Sequence, residues 1–491
     1  MSPADKPRLG LGTRLIYGFG SVAYGVKDQA LSSLLLLFYN QVVGLPAAWV
    51  GAALGFALVL DAFADPVIGQ MSDRLRSPLG RRHPFLYASA LPVALAFLAL
   101  WNPPLGWSKP ALLAWLVGSV LVVRTFITVY EIPSAALAPE FTEDYDKRTS
   151  LLSYRFFFGW MGGIGMTMLA YQHFLAPSKA HPLGIFDRSG YAAYALTAAL
   201  TMAAAILISA VGTHRWIPFL PKPQPIERRP LSAVLKEMGQ TLAHRSFLVI
   251  LVSGLFSSMG FGLTQALSVY FGTYFWEFKP QQLTALVGAG ALGTVVALMA
   301  APLMSRLMGK KLGAMVLFAF SFVISTAPMI LRLAGLFPPN GSPALLLILS
   351  LTGLFGTAAF IVSSILSASM VADVVEDSEL RTGRRSEGLF FSASSLGQKA
   401  VTGLGIFASS LVLQLAHFPA DARPGAVSAD VLHSLALIYV PALIGLNLIA
   451  LVIISFYKIS RETHAANLRQ LAETQAAGAS EGAPDPIHLG G

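Results

Sequence analysis

Apolar residues in this chain of 491 run in long stretches, broken only by short clusters of charge, proline and glycine, and the pattern recurs almost from end to end. A stretch of about 20 apolar residues is what an α-helix needs to cross the bilayer core. Reading from break to break predicts twelve spans, near 14–41, 47–71, 85–102, 110–136, 152–174, 192–213, 246–276, 281–305, 312–334, 343–371, 388–417 and 431–456. Several exceed the minimum length, which suits tilted or bent helices. The first run is long, carries Lys27 and Asp28 and lacks a clear small-residue cleavage site, so it reads as a span and not as a cleaved leader.

The longest internal connection, 214–245, is basic, Pro-rich at its start and amphipathic later, and it separates six spans from six. An internal echo supports this division. The run Gly69-Gln-Met-Ser-Asp-Arg-Leu-Arg after span two has a weaker partner, Pro302-Leu-Met-Ser-Arg-Leu-Met-Gly, after span eight. Repeated halves are how many secondary transporters are built, with substrate held at mid-membrane between them. The expected organisation is therefore an all-α integral membrane protein: an N-terminal six-helix bundle (1–213), a central loop (214–245), a C-terminal six-helix bundle (246–461) and a tail (462–491). That tail is small, polar and Pro-containing, and disorder is expected there.

Composition agrees with the pattern: 55% of residues are apolar and only 12% charged, against roughly a quarter charged in soluble domains. The chain has no cysteine, which excludes a disulfide scaffold, a Cys-ligated metal centre and a Cys nucleophile. A pI near 9.6 raises nucleic-acid binding, but the basic residues are placed by topology. Of 34 Lys and Arg, 24 fall in the N-terminus, the even-numbered connections and the C-terminus, and six on the opposite side. The positive-inside rule then puts both termini in the cytoplasm of a cell (inner) membrane. No nucleic-acid partner is called for, and the chain is read as a monomer in the lipid bilayer.

The remaining charges lie inside spans. Ionised residues at the bilayer centre cost on the order of 2.5–3.5 kcal/mol each by insertion scales, yet eight are kept: Lys27, Asp28, Asp61, Asp65, Arg124, Glu131, Arg155 and Lys399. Four are acidic and four basic, which permits mutual neutralisation inside a polar cavity. Asp61 and Asp65 are one helical turn apart on one face. Two carboxylates so placed repel; they invite a proton, a hard cation such as Na⁺, or basic partners from neighbouring helices. The first two describe a coupling-ion site, and Lys399 is a suitable partner when the ion is absent. Asp73, Arg74, Arg81 and Arg82 sit at the end of span two, where a gate joining the halves by charge competes with a plain topology signal. Asp373, Glu376 and Asp377 suit ion pairs at the end of span ten. Gly288-Ala-Gly-Ala-Leu-Gly293 matches a dinucleotide fingerprint but lies mid-span without a βαβ unit, so close helix packing is the better reading. Gly159 and Gly163 are read in the same way. The nine histidines form no metal-binding pair within a span, and no catalytic constellation accompanies the charges, so no enzyme and no cofactor are expected.

Several motifs in order carry a resemblance. Asp61-Ala-Phe-Ala-Asp65-Pro-Val-Ile-Gly, Ser72-Asp-Arg, Gly80-Arg-Arg-His-Pro-Phe, Tyr130-Glu-Ile-Pro-Ser-Ala-Ala-Leu, Asp144-Tyr-Asp-Lys-Arg-Thr, Gly25-Val-Lys-Asp28, Arg155-Phe-Phe and Ser395-Leu-Gly-Gln-Lys399 together resemble the glycoside–pentoside–hexuronide:cation symporters. These are the melibiose-permease-like members of the major facilitator superfamily, and the resemblance spans the whole membrane region. It implies sugar transport driven by a Na⁺, Li⁺ or H⁺ gradient through alternating access. By position it implies Asp61 and Asp65 as cation carboxylates, Thr128 as a nearby oxygen ligand, and Lys399 as the link between cation and sugar sites. Lys27, Asp28, Glu131 and Arg155, with Ser395 close by, are implied as sugar-binding residues; they supply the donors and acceptors that a polyol needs.

Three departures qualify what the resemblance implies. Ala64 stands where the melibiose permease has an Asn contributing to Na⁺ selectivity, which tilts the expectation toward H⁺. Glu131 replaces an Asp, and Ala135 replaces a Trp that stacks on the sugar. A galactoside is therefore not implied, and a lysolipid or other amphiphile remains an alternative cargo, because fold does not fix substrate.

Overall fold

The computed structural model describes residues 9–142, 145–177, 184–220, 243–382, 387–419 and 422–459, with isolated positions up to 470. The amphipathic part of the central loop (221–242) and the end of the tail fall outside them, as do Asp144 and the side chain of Asp146 in one of the motifs above.

The described residues form twelve helices. The first, α1, covers 11–42 in pieces: Leu11–Phe19, Val22–Gln29, a π turn Ala30–Leu34, Leu35–Leu37 and a second π turn Phe38–Val42. Next come α2 (Ala47–Arg74), α3 (His83–Trp101), α4 (Lys109–Phe141), α5 (Tyr145–Leu169, extended by the π turn Ala170–Phe174) and α6 (Arg188–His214). The second half has α7 (Arg245–Tyr270, extended by the π turn Phe271–Phe275), α8 (Pro280–Met308), α9 (Lys310–Leu333), α10 (Pro343–Thr382), α11 (Glu387–Leu415) and α12 (Ala429–Ser455). Ten of the twelve contain a stretch long and apolar enough to cross a membrane. The exceptions have local causes: α1 is interrupted, and the apolar character of α5 is diluted by Arg155 and by glycines 159, 162, 163 and 165. Several helices run past the expected spans, α4 to Phe141 and α10 to Thr382, because charged turns continue a helix once it leaves the apolar layer.

The repeat is visible in backbone detail. Both α1 and α7 end in a π turn, and the chain then bends in the same way. Val43 N–H donates to Phe38 O and Leu45 N–H to Tyr39 O; Trp276 N–H donates to Phe271 O and Phe278 N–H to Gly272 O. The residue in left-handed conformation is Gly44 (φ 84) in one half and Glu277 (φ 53) in the other. Glycine adopts that conformation without a Cβ clash, and Glu277 has to be held in it by its surroundings.

Within the first half, α1 packs on α5 and α6, α3 on α4 and α6, and α2 on α4; within the second, α7 packs on α11 and α12, and α10 on α8 and α9. The α1–α5 contact is close because it is made of glycine. A Cβ on Gly25 would meet Gly159 O at 1.7 Å, and one on Gly163 would meet Gly25 O at 2.6 Å. Gly293 likewise lies against the Leu354 carbonyl of α10, so the fingerprint-like run serves helix packing.

The halves meet along α2–α11, α1–α7 and α5–α8. A single apolar core joins both halves at the end remote from the termini, through Phe38, Tyr270, Tyr274, Leu413 and Tyr439. Near the termini the second half has a separate core of its own, around Phe247, Val371, Val374 and Phe390. Among the described residues, the apolar core is thus shared between the bundles at one end and separate at the other. A polar clasp reinforces the joined end: the Gln41 amide donates to Pro419 O (3.1 Å) and accepts from Ala422 N–H (2.8 Å), while Tyr270 donates to Asn40 Oδ1 (2.8 Å).

Gln41→Ala removes two hydrogen bonds between the halves, together about 2 kcal/mol, which corresponds to roughly thirtyfold more opening of this end. Thr273 is buried there, so a Thr273→Cys probe on this cysteine-free chain should be alkylated correspondingly faster in the Gln41→Ala background. Equal rates in both backgrounds would show that the clasp does not hold the end shut.

Candidate ion and substrate site

Helix α4 organises the site. Arg124, Thr128 and Glu131 follow one another at spacings of four and three, so one face of α4 presents all three. Facing them on α2 are Asp61 and Asp65, one turn apart. Pro66, inside the helix, removes a ladder hydrogen bond immediately after Asp65.

Each carboxylate has a basic partner from another helix. Arg124 Nη1 donates to Asp61 Oδ2 at 3.2 Å, and Lys399 Nζ on α11 donates to Asp65 Oδ2 at 2.5 Å. The Thr128 hydroxyl donates to Asp61 Oδ1 at 2.9 Å and also stands 3.3 Å from Asp65 Oδ1. With one proton it serves one acid at a time. The two pairs differ in access: the Arg124 and Asp61 side chains are 6% and 7% exposed, against 28% and 21% for Lys399 and Asp65. One pair is sealed in the wall of the first half; the other bridges the halves and reaches the space between them.

A second cluster lies on the same face of α4. The Arg155 guanidinium donates to Glu131 Oε1 (2.5 Å) and to Ser134 Oγ (2.6 Å), lies against the Tyr17 ring, and Tyr17 O–H donates to Ser134 O (2.8 Å). Glu131 Oε2 has no hydrogen-bond partner, which leaves an acceptor facing this cluster. Lys27 on α1 is buried, 3.6 Å from Asp28 Oδ1 and over the Tyr24 ring, while the Asp28 side chain is 55% exposed. Ser395, one turn before Lys399 on α11, is exposed. The structure thus places Lys27, Asp28, Asp61, Asp65, Thr128, Glu131, Arg155 and Lys399 on helices α1, α2, α4, α5 and α11 near the seam, while Ser395 makes no hydrogen bond to them among the described residues.

The residues considered for a gate sit elsewhere. Arg82 pairs with Asp73 (2.5 Å) and Glu140 (3.0 Å), and Arg81 with Glu140 (2.8 Å), while Arg74 is exposed. In this conformation these pairs tie α2, the start of α3 and α4 together within the first half. On the second half Lys310 pairs with Asp373, and Asp377 with His244 and Arg381, as the positions at the end of α10 suggested.

Sequence reasoning identified Arg124 as an intramembrane charge without giving it a partner, and it passed over Tyr17, Tyr24 and Ser134. The four-residue step from Arg124 to Thr128 was the available signal; nothing in the sequence marked Tyr17, and Ser134 stood inside the Tyr130-Glu-Ile-Pro-Ser motif without a role of its own. An apolar groove of about 430 Å³ lined by Pro92, Leu95, Trp115, Gly118 and Val122 lies between α3 and α4. It is on the face of α4 opposite the charged residues, so it does not open onto them.

A two-fold helical bundle with paired charges at its seam defines a membrane transporter of the major facilitator type. Among solved structures the fold is similar to that of a D-xylose-proton symporter, at 13% identity and a TM-score of 0.57, covering 88% of this chain and 96% of that one. Residues 16–461 match the family described as MFS/sugar transport protein, and the chain belongs to that family. It is a transporter and not an enzyme. Relatives include an uncharacterized symporter, sll1374, of Synechocystis sp., 27% identical over 94% of this chain and 97% of that protein. Another is the isoprimeverose transporter of Lactiplantibacillus pentosus, 24% identical over 91% and 88%.

Asp61→Ala strands the Arg124 guanidinium in the wall of α4, and breaking a buried pair from one side costs on the order of 3–5 kcal/mol. A clear fall in the melting temperature of the purified protein is expected, with most of it recovered in Asp61→Ala/Arg124→Ala. A double variant no more stable than Asp61→Ala alone would mean that the pair is not what stabilises this wall.

Proposed function

We propose that this transporter couples uptake of a sugar or glycoside to a H⁺ or Na⁺ gradient by alternating access, with Asp61, Asp65 and Thr128 as the ion site and Lys399 as the coupling residue. The observation that carries this reading is the Asp65–Lys399 ion pair, which joins a carboxylate of the first half to an ammonium of the second. An ion that neutralises Asp65 releases Lys399, so ion binding and the relation of the two halves are one event.

The substrate side rests on chemistry. Lys27, Asp28, Glu131 and Arg155 offer fixed donors and acceptors, and the unpartnered Glu131 Oε2 is an acceptor for a hydroxyl. Arg155 presents its planar fork with both arms engaged, so a polyol entering the cluster exchanges partners with groups already oriented. A sugar chain of events follows. The ion engages Asp65, Lys399 is freed to shape the binding space, and substrate restores the pairing of charges. A half-loaded cavity carries an unpaired charge, which is costly to move through a low-dielectric seam. Coupling follows from that penalty. With the termini in the cytoplasm, as the distribution of Lys and Arg favours, the divided end faces inward and Gln41 closes the outer end.

Similarity to the isoprimeverose transporter supports a glycoside, and Ala64, which offers no side-chain oxygen, favours H⁺ over Na⁺. Counterflow of labelled xylosides and hexosides into proteoliposomes, with and without an imposed pH or Na⁺ gradient, tests the proposal. Sugar counterflow is expected. Lysolipid uptake with no sugar uptake would replace the substrate class.

Asp65→Asn should abolish gradient-driven accumulation by at least about tenfold while leaving equilibrium exchange, as expected when an ion site is lost and the path kept. Unchanged uphill transport in that variant would remove Asp65 from the ion site. Arg155→Ala should lose substrate affinity by roughly a hundredfold, the value of a charge-assisted bidentate contact; retained affinity would take Arg155 out of the binding site.

A further inference from the structure

We propose that the Arg124 guanidinium is a built-in cation that fills the alkali-metal position on Asp61 and so makes the carrier indifferent to Na⁺. This rests on the reading of Asp61 and Asp65 as the ion site and adds a residue that decides which ion is accepted.

Three of the four carboxylate oxygens of the pair are engaged at once, and both oxygens of Asp61 are among them when Thr128 donates to it. Asp61 holds Arg124 and Thr128, and Asp65 holds Lys399 with Thr128 in reach. A hard cation bound between the acids would draw on these same oxygens, and Ala64 adds none. Lys399 can leave, because its pair is partly open to the space between the halves. Arg124 cannot: it is 6% exposed, its partner 7%, and a guanidinium stays charged at every physiological pH. Expelling it from Asp61 would strand a cation in the wall. The other basic groups nearby, Lys27 on α1, which lies over the Tyr24 ring, and Lys399 on α11, would repel it further, and Glu131 is already held by Arg155. Na⁺ therefore has no vacant negative charge on Asp61 to bind. Take the guanidinium away, and Asp61, Asp65 and Thr128 become an oxygen cluster with excess negative charge, the chemistry that a hard monovalent cation selects.

Saturable binding of ²²Na⁺ to the purified protein, in NaCl against choline chloride at matched ionic strength, tests this without any substrate. The wild type should bind none. Arg124→Gln should acquire a saturable site at least about tenfold tighter than any wild-type binding, Arg124→Lys should stay indifferent, and Arg124→Gln/Asp61→Asn should lose the site again. Saturable Na⁺ binding to the wild type would overturn the proposal, as would a folded Arg124→Gln protein that binds none. If Arg124→Gln folds only when NaCl is supplied, Na⁺ is replacing the guanidinium and the proposal stands; if it unfolds equally in NaCl and choline chloride, the proposal fails. Because the readout is ion binding alone, absence of sugar counterflow would count against the transport reading and leave the role of Arg124 to be decided separately.

Discussion

Neutralisation of charge inside a low-dielectric wall is the constraint on which the rest of this structure depends. Two acids one turn apart on α2 could not both stay ionised against a lipid-like surrounding unless each were matched. Arg124 matches one from within the same half, and Lys399 matches the other from across the seam. The first pair is buried on both sides. The second is partly exposed, and it joins a carboxylate of one bundle to an ammonium of the other.

Helix α4 makes this possible because its spacing puts Arg124, Thr128 and Glu131 on a single face. The face begins with a buried ion pair, continues through a hydroxyl shared between two carboxylates and ends at a guanidinium-bound glutamate beside Ser134 and Tyr17. The ion cluster and the proposed substrate cluster are therefore neighbours along one rigid rod. The glycine contact between α1 and α5 lets the backbones of the helices that carry Lys27 and Arg155 approach closely.

The conformation is explained by where the halves adhere. Apolar packing and the Gln41 clasp join them at one end; at the other, the pairs among the described residues include Arg81 and Arg82 with Glu140 within one bundle, and Lys310 with Asp373 and His244 with Asp377 within the other. A carrier that exchanges sides must trade one set of contacts for the other.

The all-helical membrane fold, the family and the intramembrane charges were legible in the amino-acid sequence, because they follow from local facts: how long an apolar run is, and how improbable an ionised residue is within it. Pairing was not legible. Asp61 and Arg124 are 63 residues apart and Asp65 and Lys399 are 334 apart, and no spacing rule reaches that far. Tyr17 and Ser134, ordinary in sequence, matter only because α1 and α4 converge on Arg155. Which acid is sealed and which is exchangeable was decided by the tertiary structure alone, since burial belongs to the packed bundle and not to any residue of it.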